Sequence, residues 1–168
     1  MSTIGNGVDL DSIAPLPQRT RTPGELHVLY LGNHGESQGL ETVLQAAAQV
    51  AGEGIHVRLV GQGTQREHLL ELNESLGSPA QMLEAVFGPA VQEQYAWADT
   101  CLVALRPDWE SFHWTIPSKT YEVLAVGRHI CALVVGEAAE LLRQTGVARI
   151  VPADPCLLYT SDAADDTP

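Results

Sequence analysis

Basic side chains are scarce in this chain: 9 Lys and Arg stand against 21 Asp and Glu, a formal net charge of -12 over 168 residues. Bulk attraction to phosphate needs the opposite sign, so nucleic acid and anionic membrane are disfavoured as partners. Cysteine is scarce too. The three thiols, Cys101, Cys131 and Cys156, have no metal-binding or redox spacing and read as reduced thiols of a cytoplasmic protein. No apolar run approaches the roughly 20 residues that span a bilayer. Residues 1–25 lack the cationic start and apolar stretch of a signal peptide. Neither a G-x-G-x-x-G fingerprint nor a P-loop is present, which leaves kinase-type phosphate binding unsupported. His27, His56 and His129 lie at strand starts and His68 on a polar helix face, without ligand spacing to one another. No metal site is expected. No Ser-His-Asp or Cys-His arrangement suggests a complete catalytic centre.

What is present is an alternation. Apolar, β-rich runs occur at 27–31, 56–60, 82–87, 100–105, 129–135 and 148–151. Helical segments fall between them at 40–50, 64–76, 91–98, 118–125 and 137–144, the second opening on a capping box, Thr64-Gln65-Arg66-Glu67. Short apolar strands alternating with helices imply an α/β fold: a Rossmann-like parallel sheet with helices on both faces. Right-handed crossovers place every strand-to-helix loop on the carboxyl edge, where such folds bind ligands.

The loops on that edge carry the unusual residues. Gly32, Asn33, His34 and Gly35 open a glycine-rich loop whose backbone can approach a ligand closely. His34 reads as an exposed loop histidine within donor reach of a phosphate. Gly61 and Gly63 flank the second loop, and Trp109, Phe112, His113 and Trp114 give the fourth an aromatic character that suits a cover for the sheet edge. Pro117 fits the first turn of a helix. Ser118 and Lys119 then stand at the positive end of the helix dipole with free backbone N–H groups, a site for an anion. Glu122, four residues after Ser118, shares its face and suits the paired hydroxyls of a ribose or sugar.

Both ends look cut. Asn6-Gly7-Val8-Asp9 and the proline-rich stretch 14–24 read as an interdomain linker over 1–25, ahead of a domain at 26–155 that continues beyond the chain. Residues 156–168 resemble the read-through translation of a transposase-type sequencing adapter, and disorder is expected there. Removing Asp162, Asp165 and Asp166 leaves 18 acids against 9 bases, so the net charge is still acidic, at -9. Cys101 and Cys131 remain as inert core thiols.

An ordered series of motifs then carries a resemblance. Asn6-Gly7-Val8-Asp9, Tyr30-Leu31-Gly32-Asn33-His34-Gly35 with Gln38-Gly39-Leu40, Leu59-Val60-Gly61-Gln62-Gly63, Phe87-Gly88 with Tyr95-Ala96-Trp97-Ala98-Asp99, and Pro117-Ser118-Lys119 with Tyr121 to Gly127 follow one another. This series resembles the C-terminal, nucleotide-sugar-binding half of GT-B-type retaining glycosyltransferases. The resemblance implies that Gly32, Asn33, His34, Gly35, Ser118 and Lys119 hold the donor diphosphate. It places Glu122 on the ribose, and Gly61, Gly63, Val86 and Phe87 near the base. It further implies a UDP- or GDP-linked sugar as donor, transfer to a glycan or lipid acceptor with retained configuration, and neither cofactor nor essential metal. The acceptor-binding domain would lie upstream, so the chain alone should be inactive. Peripheral association of the parent with the inner membrane face stays open.

The chain departs from the family pattern in three ways. Asn33 and Gln38 replace a basic pair, Trp114 stands where many relatives have a glutamate, and Arg128-His129 lacks the usual proline. The alternatives are a sugar-nucleotide epimerase of the same fold and a non-catalytic α/β binding module. The receiver type of module lacks support, because no acidic cluster ends the first strand.

Overall fold

The computed structural model describes residues 13–152. The Asn6–Asp9 cluster and the segment 156–168 lie outside the described residues. Six strands form one sheet: β1 (Leu26–Leu31), β2 (Ile55–Val60), β3 (Ala80–Leu83), β4 (Thr100–Ala104), β5 (His129–Leu133) and β6 (Ala148–Ile150). Their order is β3-β2-β1-β4-β5-β6 and every pairing is parallel. Between them run α1 (Leu40–Gln49), α2 (Arg66–Ser75), α3 (Pro89–Trp97), α4 (Ser118–Val126) and α5 (Gly136–Thr145).

Alternation along the strands divides the core in two. Val28, Tyr30, Val57, Leu59 and Leu102 pack with Leu40, Val43, Leu44 and Ala47 of α1 and Leu69 of α2. Leu29, Val60, Cys101, Val103 and Ile130 pack on the opposite face with Tyr95, Val123, Val126, Ala138 and Leu142 of α3, α4 and α5. Successive strand residues thus feed opposite faces, and both faces are covered by helix, the condition a parallel sheet requires. Burial raises the Cys101 thiol to about 12 and the Cys131 thiol to about 11, so both stay protonated in the core.

The third strand differs from the sequence expectation. The run 82–87 pairs only as far as Leu83, opposite Val60, because β2 ends there and leaves residues 84–87 without a partner strand. The strand begins earlier, at Ala80, because the buried Asn73 carboxamide holds it. Asn73 Nδ2 donates to the Ala80 carbonyl at 3.0 Å and Oδ1 accepts from the Ala80 N–H at 3.1 Å. Asn73→Ala should strip both backbone groups of their partners and cost about 2 kcal/mol, read as a lowered urea midpoint.

Two helix starts also differ. The expected capping box is not formed, since α2 begins at Arg66 and its N-cap residue Gln65 makes no side-chain cap bond. Pro117 is the N-cap of α4 and lies just outside the helix, with ψ at 136° and its carbonyl accepting from Thr120 N–H at 3.0 Å. At the other end Gly127 takes the left-handed conformation (φ 77°), and its N–H closes onto the Val123 and Leu124 carbonyls.

Within the expected linker, residues 13–24 form no strand or helix, yet they are tied to the domain. Ile13 and Leu16 pack on the second core cluster. Arg19 bonds the Asp99 carboxylate at 3.0 Å, and the same carboxylate accepts from His27 N–H at 2.8 Å. Buried Arg128 reaches the Pro17 carbonyl at 2.8 Å and the Tyr95 carbonyl at 2.9 Å. No helix among the described residues is long and apolar enough to cross a membrane.

Candidate functional site

In this strand order β1 and β4 are neighbours whose connections leave in opposite directions, which opens a crevice beyond their carboxyl ends. The loop after β1 and the loop from β4 into α4 form its walls. They are tied across the gap, with Arg106 N–H donating to the Ser37 carbonyl at 2.9 Å and Arg106 Nη1 to Glu36 at 3.3 Å.

The structure brings Gly32 and Lys119 together. A Cβ built on Gly32 would lie 3.8 Å from Lys119 Cε, in ordinary van der Waals contact, and more tightly, at 3.3 Å, from Tyr30 Oη. Tyr30 Oη donates to the Asn33 carbonyl at 2.7 Å, and the Asn33 carboxamide donates to Gln38 Oε1 at 3.3 Å. Gln38 Oε1 also accepts from Gly35 N–H at 3.1 Å. Asn33 and Gln38 therefore shape the loop together. Ser118 is exposed at the α4 N-terminus, where the first N–H groups have no intrahelical partner.

Lys119 and Glu122 are partners here. Lys119 Nζ donates to Glu122 Oε2 at 2.6 Å, and Tyr95 Oη donates to Glu122 Oε1 at 2.8 Å. Both charged side chains are about three-quarters buried, at 25% and 20% exposure. Burial, then the Glu122 carboxylate, pushes the Tyr95 phenol far up, so it remains a donor. Sequence reasoning placed Tyr95 in a motif without giving it this role. The only signal for it would have been a buried tyrosine two residues before the end of α3.

His34 corrects the expectation of an exposed loop histidine. It is 0% exposed, and neither ring nitrogen has a hydrogen-bond partner among the described residues. Burial, reinforced by the Arg66 charge, lowers its pKa to about 4, and Glu84 opposes this weakly. The ring is held neutral in the fold while the unfolded chain titrates near the ordinary value of 6.5. The unfolded state therefore binds more protons below that pH, and stability falls as pH drops from 6.5 to 4. A His34→Asn variant should lose less stability over this window than the parent chain, as denaturant midpoints at each pH would show. Equal losses would contradict the buried neutral ring.

The glycines expected near the base have a structural task. A Cβ on Gly61 would overlap the Gly32 carbonyl oxygen and lie 3.1 Å from His34 Cδ2, and one on Gly63 would press on the His34 carbonyl and Asn33 Oδ1. The two loops interlock through backbone bonds, His34 N–H to Gln62 at 2.8 Å and Gln65 N–H to His34 at 2.8 Å. Arg66 braces them by donating to the Gly61 and Leu83 carbonyls at 3.0 and 3.1 Å and to Glu84 at 2.8 Å. Val86 is half-buried against the second core cluster, whereas Phe87 is 75% exposed. The aromatic loop does two things: Phe112 packs on the core and stacks on Trp109 at 5.1 Å, while Trp114 is 73% exposed. Glu110, His113, Trp114 and Glu137 line a cleft of about 520 Å³ beside it.

The chain matches the Glycosyl transferases group 1 family over residues 25–161. It belongs to that family. Among curated relatives this group 1 chain is 32% identical over 123 residues to WcaI of Escherichia coli K12, whose name assigns it to colanic acid biosynthesis. The match takes in 70% of this chain and 28% of that protein, so the chain spans less than a third of the relative. Solved structures of glycosyltransferases share the fold. The C-terminal domain of the group 1 protein LpcC from Francisella tularensis superimposes with a TM-score of 0.63 at 18% identity, over 89% of this chain and 83% of that one. HepE from Anabaena, solved with UDP and glucose, gives 0.65 at 18% identity, over 90% of this chain and 43% of that one.

Proposed function

We propose that this chain is the donor-binding half of a retaining glycosyltransferase that moves a sugar from a nucleoside diphosphate sugar to a glycan or lipid acceptor. The supporting observation is the convergence of Lys119, Glu122 and the Gly32 loop at the crevice between β1 and β4. An ammonium and helix N–H groups suit a diphosphate, and a carboxylate one turn on suits ribose hydroxyls. Lys119 would neutralise charge on the leaving nucleotide, the main electrostatic demand of this transfer. Cleft residues Glu110 and Glu137 offer acceptors for sugar hydroxyls where Trp114 replaces the family's glutamate. The base would lie by Phe87 and Val86, with UDP and GDP as the candidate nucleotides. The reading needs no cofactor beyond the donor.

The acceptor would be held by a partner domain supplied upstream in the parent enzyme, and chemistry would take place between the two. Titration calorimetry of this chain with UDP and GDP tests the reading. One of the two should bind more tightly than its monophosphate, because only the diphosphate reaches both Lys119 and the α4 N-terminus. Equal affinity for mono- and diphosphate would sink it. The isolated chain should show no sugar transfer, and measurable turnover would overturn the two-domain account.

A further inference from the structure

At the opposite, amino edge of the sheet the fold assembles a cluster that is invisible in sequence spacing. His27 on β1 and His56 on β2 are register partners, and Glu25 directly precedes β1. Each offers one ligand atom, and these atoms all lie within 4.8 Å of one another. We propose that Glu25, His27 and His56 form a binding site for a divalent transition metal of the zinc type, separate from the crevice at the carboxyl edge.

The tautomer of His27 is fixed by its surroundings. Its Nδ1 lies 3.1 Å from the Trp97 carbonyl oxygen, which can only accept, so Nδ1 bears the proton. In the neutral ring Nε2 then presents a lone pair, and it faces Glu25 Oε2 at 4.0 Å. A backbone carbonyl fixing one imidazole nitrogen while the other points at a carboxylate is the supporting arrangement of metal-ligating histidines. The ring is held in place, stacked on Trp97 at a centroid separation of 4.5 Å and met edge-on by His56 at 5.1 Å. Ligand atoms around zinc stand roughly 3.3 Å apart, given bonds of about 2.0–2.1 Å. His56 is exposed and the Glu25 side chain is 42% exposed, so both can rotate to close the remaining distance. Three protein ligands leave a fourth position for water.

The charges on neighbouring elements are already engaged. Arg58 lies over the Trp97 ring at 3.8 Å and bonds Gln81 and Gln94, while Arg19 and Arg21 pair with Asp99. A cleft of about 430 Å³ lined by His27, His56, Arg58 and Trp97 gives access. A bound ion would fasten the segment ahead of β1 to β2.

Calorimetric titration of the full 168-residue chain with Zn²⁺ near neutral pH should show one ion per chain at micromolar affinity. His56→Ala, at an exposed position that leaves the fold intact, should weaken it about tenfold or more, as should Glu25→Gln. Co²⁺ should give tetrahedral absorption bands that disappear in His56→Ala. Absence of saturable binding would overturn the proposal. Binding unchanged in His56→Ala would do so equally, because the ion would then sit on other side chains.

Discussion

Replacing Lys119 with Ala should weaken nucleoside diphosphate binding by about 1.5–3 kcal/mol, the worth of a charge-assisted hydrogen bond. That corresponds to roughly a ten- to hundredfold rise in Kd. The effect should lie near the upper end for a reason specific to this site. Lys119 Nζ also holds Glu122 Oε2 at 2.6 Å, so its removal leaves a three-quarters-buried carboxylate unneutralised beside the incoming phosphates. The Tyr95 bond to Glu122 persists at 2.8 Å and keeps the carboxylate in place, so the fold should survive the change. Calorimetry with UDP or GDP on both chains gives the comparison, and circular dichroism checks folding. An unaltered Kd would remove Lys119 from the site.

Gly61→Ala should be strongly damaging in the carboxyl-edge loops. The added Cβ would overlap the Gly32 carbonyl oxygen and crowd His34 Cδ2 at 3.1 Å. The obstacle on the Gly32 side is backbone, which cannot rotate away as a side-chain tip would. Overpacking commonly costs about 1–3 kcal/mol, and here the upper end is expected because two interlocked loops must move together. The urea midpoint should fall with little change in slope. The same displacement should loosen the Gly32 loop around any diphosphate. A variant with an unshifted midpoint would show that the loops part easily.

These two effects differ in how far the sequence foretold them. Lys119 and Glu122 were legible as candidates because a lysine in the first turn of a helix has a local electrostatic meaning. The sheet was legible because strand and helix periods alternate, and five of six strands begin within one residue of their expected starts. What was not legible depends on packing between distant segments. His34 looked exposed because polar loop residues usually are; the glycines at 61 and 63, which make room for it, lie almost 30 residues away. The start of β3 escaped because a side chain on α2, Asn73, defines it. The meeting of His27 and His56 requires the register of two strands, which no spacing rule supplies.

Helix α4 has its two ends fixed to different things. At its base, Leu16 N–H donates to the Val126 carbonyl at 2.9 Å, and Arg128, just past the C-cap, grips the Pro17 carbonyl at 2.8 Å. At its tip stands Lys119. Nine residues make the helix a stiff rod of about 13 Å. The segment around Leu16 and Pro17 and the ammonium at the crevice therefore belong to opposite ends of one rigid element, seated on the core through Val123 and Val126.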